Sequence, residues 1–96
     1  NSNSNGVAWY WEALATNLSG QDYTEVDLSK CDFQSLQNDF NNTNNAYSYA
    51  FTIGKFMLSN YSNEQLLEYV KNPALLKQQA EQIFILALQS QIKNTK

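Results

Sequence analysis

Ninety-six residues make one domain, because a chain of this size hides about 60–65% of its unfolded surface, enough for one modest core and not for two. Hydrophobic residues at 43% against charged residues at 16% exclude a disordered segment and leave a surface built largely of amides and hydroxyls. Six cations face nine anions and every cation is lysine, so the guanidinium fork that grips phosphate is missing; nucleic-acid binding and docking on an anionic membrane are disfavoured, and no apolar run nears the ~20 residues that span a bilayer.

The chain opens with Asn1-Ser2-Asn3-Ser4-Asn5, a polar leader (1–5) before a single helical domain (6–96). It has neither an initiator Met nor a signal peptide, and so reads as a processed or excised piece of something longer. In the next stretch Val7, Trp11, Leu14 and Leu18 stand at helical offsets and predict a first helix with that stripe inward. Gly20 is its expected stop, since a glycine just past the last apolar residue takes the left-handed conformation that closes a helix; the polar run from Gln21 to Glu25 reads as loop. Cys31 has no partner for an internal disulfide and reads as a small, half-buried hydrophobe.

Asp32 is a suitable N-cap for a short helix that points Phe33, Leu36 and Phe40 inward. The run Asn41-Asn42-Thr43-Asn44-Asn45 then interrupts regular structure, because its side chains compete for backbone hydrogen bonds. From Ala46 to Asn60 two apolar sets, Tyr47, Phe51, Gly54, Leu58 and Ala46, Ala50, Ile53, Met57, predict a central helix buried on more than one side. Gly54 in its interior costs about 1 kcal/mol relative to alanine, which is tolerated where another helix must pass close. Ser62-Asn63-Glu64-Gln65 is a capping box opening a helix that carries Leu66, Leu67 and Val70 and stops by Asn72, the residue before a proline. Asn72 and Pro73 start the longest helix, with Leu76, Ala80, Ile83, Phe84, Ala87, Leu88 and Ile92 in phase and Lys93 and Lys96 near its carboxyl end. The expected fold is all-α, a small bundle of four to five helices.

The absence of histidine removes serine and cysteine triads, imidazole bases and the usual zinc sets together. Asp22, Glu25 and Asp27 invite comparison with a carboxylate pair or a cation site, but nothing apolar surrounds them to raise one pKa, and the glycine turn and closing glutamate of a calcium loop are missing; they read as a solvated loop. Three Asn-x-Ser/Thr matches, at Asn17, Asn41 and Asn60, are what this asparagine content yields by chance. The expectation is no catalytic residue, no cofactor and no metal. Trp9-Tyr10-Trp11 is different, because three consecutive rings point about 100° apart and cannot all enter one small core. Either two rings are core and one is its rim, or Trp9, Tyr10 and Trp11 form a contact surface for another chain, a missing part of this protein or a sugar.

Two blocks resemble gluzincin-type zinc metallopeptidases. Asn5-Gly6-Val7-Ala8-Trp9-Tyr10 is similar to the Glu-Gly-x-Ala-x-Tyr segment on the helix that supplies that family's third zinc ligand, downstream of its His-Glu-x-x-His helix. Ala46-Tyr47-Ser48-Tyr49-Ala50, followed by Leu58, Tyr61, Glu64 and Leu66-Leu67, resembles the family's later helices in order and approximate spacing. The resemblance covers about a third of the chain and implies the helical half downstream of the catalytic helix. The ligand position holds Asn5, a poor zinc ligand, and Ser62 stands where the family usually has glycine, so no catalytic residue transfers. The resemblance implies a non-catalytic interaction or self-association module whose partner is a protein or itself; removing half of a fold bares apolar surface that association buries, so a homodimer is expected, and a processed, polar, cysteine-poor chain leans toward an extracytoplasmic place. The alternative is an excised fragment of an active metallopeptidase, and a third reading is an unrelated small helical binding protein.

Overall fold

The computed structural model describes residues 8–20 and 23–94, the side chain of Asn94 excepted. The expected polar leader, Asn5 to Val7, Asp22 and Lys96 lie outside the described residues. Among the described residues five α-helices run in order: α1 (Ala8–Leu18), α2 (Phe33–Asn38), α3 (Ala46–Asn60), α4 (Asn63–Lys71) and α5 (Pro73–Asn94), with one 3-10 turn at Leu28–Lys30 and another at Phe40–Asn42. No strand occurs among the described residues, and the bundle is all-α as the periodicity predicts.

The helix boundaries follow local chemistry. Gly20 closes the α1 end at φ 77°. Asp32 Oδ1 accepts from the Ser35 N–H at 3.3 Å, Ser62 Oγ from the Gln65 N–H at 3.1 Å and Asn72 Oδ1 from the Leu75 N–H at 3.2 Å, so all three expected caps are formed. Asn72 also ends α4, its own N–H donating to the Glu68 carbonyl, and Pro73 follows as the first residue of α5. The asparagine run breaks the chain between α2 and α3, with Asn45 left-handed at φ 60°. The expected helix through Phe40 is shorter than its apolar spacing suggests: α2 stops at Asn38, and Phe40 reaches the core from a separate 3-10 turn.

The core is continuous, from Trp9, Tyr10 and Ala13 through Leu28, Phe33, Leu36 and Phe40 to Ala50, Ile53, Met57, Leu66, Tyr69, Leu76, Ala80, Ile83 and Ala87. Its densest joint is α1 on α3. A Cβ built on Gly54 would fall 2.8 Å from both the Cβ and the carbonyl oxygen of Ala13, so the glycine is there because the helix backbones touch. One turn on, the Asn17 amide donates to Ala13 O at 2.7 Å and across the joint to Phe51 O at 3.1 Å.

This joint overturns the predicted inward stripe of α1. Trp9, Tyr10, Ala13 and Thr16 are buried, whereas Leu18 is 72% exposed and Trp11 and Leu14 sit at the rim. Almost every position of α1 is apolar or small, so periodicity does not choose a face; the close approach at Ala13 does.

Candidate interaction surface

The three aromatic residues at 9–11 separate on folding. Trp9 and Tyr10 are completely buried, and Trp11 is half-buried against the outside of the core. Trp9 stands edge-on to Phe33 and to Tyr10, and Tyr10 edge-on to Tyr69, with centroids 5.6, 5.8 and 6.1 Å apart. The Tyr10 hydroxyl donates to the Leu66 carbonyl at 2.8 Å, tying α1 to α4. Burial, with the nearby Tyr69 hydroxyl adding to it, pushes the Tyr10 phenol up to about 12. The Trp9 indole N–H is buried with no hydrogen-bond partner among the described residues. Two rings are core and one is its rim: Trp9 and Tyr10 have no surface left for a partner, because the inward face of α1 takes them, and of the three only Trp11 keeps any exposure.

Glu25 and Asp27 of the acidic loop are committed to structure. Glu25 pairs with Lys55 at 3.0 Å, both side chains half exposed. Asp27 caps the first 3-10 turn, accepting from the Ser29 N–H at 3.0 Å and the Ser29 hydroxyl at 2.7 Å; these bonds hold its carboxyl below the usual range. A carboxylate so held neither donates a proton near neutrality nor readily takes one. Among the described residues no group of three or more His, Cys, Asp or Glu is placed to hold a metal ion.

Sequence reasoning missed the strap that this loop makes. Residues 25–28 lie across α3 and α5, and side chains satisfy their backbone. The Val26 N–H donates to Thr52 Oγ1 at 3.0 Å, the Val26 carbonyl accepts from Gln91 Nε2 at 2.7 Å, and the Leu28 N–H donates to Gln91 Oε1 at 2.8 Å. Nothing in the spacing of a threonine and a glutamine 39 residues apart announces this clamp.

Between the strap, the second half of α3 and the last turns of α5 runs an open groove of about 870 Å³. Phe56, Leu88 and Ile92 give it apolar walls; the Glu25–Lys55 pair and Asp27 stand at its rim. Continuing from it along the outside of α5, Ile85, Leu88 and Ile92 lie within about 60° of one another on the helix. Ile85 is 38% and Ile92 64% exposed, and Leu88 is half-buried. The run Ile83 to Leu88 is apolar all round, yet only its Ile83 and Ala87 side is fully covered. Sequence periodicity placed Leu88 and Ile92 inward with the rest of the stripe; the bundle is one helix too thin to cover both.

No family model, curated protein or solved structure matches the chain. No helix among the described residues is long and apolar enough to cross a membrane.

Proposed function

We propose that the chain is a non-catalytic helical interaction module whose contact surface is the outer band of α5, Ile85, Leu88 and Ile92, together with the adjoining groove. The observation that carries this is the partial covering of an all-round apolar helix segment: Ile92 at 64% and Ile85 at 38% exposure lie on one line beside apolar groove walls. The groove's own chemistry supports binding over turnover, since its two carboxylates are engaged by Lys55 and Ser29 and the sequence has no histidine to act as base.

Descent from the helical half of a gluzincin-type metallopeptidase is part of the proposal and rests on the two residue blocks. Those of their residues that pack in or against the core here, Ala8, Trp9, Tyr10, Ala46, Tyr49, Ala50, Leu58, Tyr61 and Leu66, have structural work to do without a zinc site. Ser62, the departure from that family's glycine, caps α4.

The test is selection of peptides on the immobilised chain, followed by NMR titration of each peptide into isotope-labelled protein. Selected peptides should move the amides of residues 85–92 and 55–60, and Leu88→Asp or Ile92→Asp should abolish binding while leaving the spectrum folded. Peptides that map elsewhere, or that are hydrolysed by the chain, overturn the proposal.

A further inference from the structure

We infer that the occupant of the α5 band is a second copy of this chain, docked antiparallel across a two-fold axis. This rests on the α5 band being the contact surface. From Gln82 to Ile92 eleven consecutive residues carry no charge. A chain of net charge −3 repels its own copy wherever charges face each other, and this is a stretch where they do not. A strongly charged partner gains nothing from such a face, whereas an identical neutral apolar face complements it.

Charge also selects the direction. Lys77 and Glu81 continue the same outer face toward the amino end of α5, where both are exposed. A parallel pair would set Glu81 against Glu81 and Lys77 against Lys77. An antiparallel pair with its axis passing between Leu88 and Gln89 sets Ile85 of each copy against Ile92 of the other, brings the two Leu88 side chains together, and separates the two Glu81 by fifteen residues of helix rise, about 22 Å. Such an isologous contact closes after two copies and covers the part of the apolar segment that the bundle leaves open.

Sedimentation equilibrium of the full chain tests this. A reversible shift from 11.0 kDa toward twice that mass is expected, weakened roughly tenfold or more by Ile85→Asp or Ile92→Asp, and not weakened by added salt, because no ion pair holds the contact. Orientation is read in a Cys31→Ser background: Ile85→Cys and Ile92→Cys chains, mixed and oxidised, should cross-link to each other far faster than either does to itself. A monomer at every concentration up to about 1 mM, or Ile85→Cys cross-linking mainly to itself, overturns the second-copy inference. If selected peptides still map to the band, the interaction module stands and only its occupant is wrong. If neither peptides nor a second copy engage the band, both fall.

Discussion

Ala13 and Gly54 touch so closely that a single added methyl has nowhere to go: a Cβ on Gly54 would meet the Ala13 carbonyl oxygen at 2.8 Å and the Asn17 amide at 2.7 Å. Alanine is the better helix former by about 1 kcal/mol, but overpacking a close joint costs about 1–3 kcal/mol. Because one of the contacted atoms is backbone, overpacking wins, and Gly54→Ala should lose about 1–2 kcal/mol of stability. The check is a lower denaturation midpoint at unchanged slope. An unchanged or higher midpoint would mean that α1 and α3 separate at no cost.

Gln91 holds the strap by giving its amide N–H to Val26 and its amide oxygen to Leu28. Gln91→Leu leaves a carbonyl and an N–H without those partners, each worth about 1–3 kcal/mol where water cannot reach. Hydrogen exchange should then show Leu28 opening well before the core of α3, whereas in the parent chain the two should be protected together. Equal loss of protection throughout would show that the strap and the bundle unfold as one unit.

The phenol of Tyr10, pushed up to about 12 by burial, links folding to alkaline pH. In the unfolded chain the same group ionises near 10.0, so its contribution is fully present below pH 10 and is lost as pH rises toward 12. The loss amounts to roughly 2–3 kcal/mol across that window. In a Cys31→Ser background, which removes the thiol that titrates over the same range, denaturant titrations between those pH values should show the decline, and Tyr10→Phe should make it shallower while lowering stability near neutrality by about 1 kcal/mol through the missing bond to Leu66. An equally steep decline in Tyr10→Phe would assign it to another group.

Cys31 is half-buried, and burial with the Asp32 charge beside it pushes the thiol from 9.0 to about 12. Three units leave roughly a thousandfold fewer thiolates near neutrality. Alkylation should therefore be slow in the native chain and become ordinary in denaturant. Fast native labelling would place the thiol in a different environment.

How far the sequence carries depends on how local the cause is. Caps such as Asp32, Ser62 and Asn72 were legible because a side chain and the amide it serves lie three residues apart. The role of Gly54 was legible because a helix keeps an interior glycine only under close packing. The inward face of α1 was not, since it depends on which of many apolar residues meets α3, a relationship 41 positions away in the chain. The exposure of Leu88 and Ile92 escaped for a related reason: period gives the phase of a helix, not the number of neighbours available to cover it. The groove and the strap come entirely from tertiary contact.

Trp9 and Trp11 now give opposite expectations although they sit two residues apart. Trp9 is fully buried against Phe33 and Tyr10, so Trp9→Ala removes a core ring and should cost about 3–5 kcal/mol, a large share of what a chain this small has available. Trp11 lies half-buried at the rim, and Trp11→Ala should cost less than half as much. Thermal unfolding of the two variants separates them, and tryptophan emission adds an independent readout: the emission of Trp11→Phe, in which only Trp9 reports, should be blue-shifted and poorly quenched, and that of Trp9→Phe more accessible. Loss of binding in a Trp9 variant would then report unfolding, and only Trp11 could be used to ask whether α1 contributes to a contact surface. Comparable stability losses would mean that both rings are core and that no ring of this cluster faces a partner.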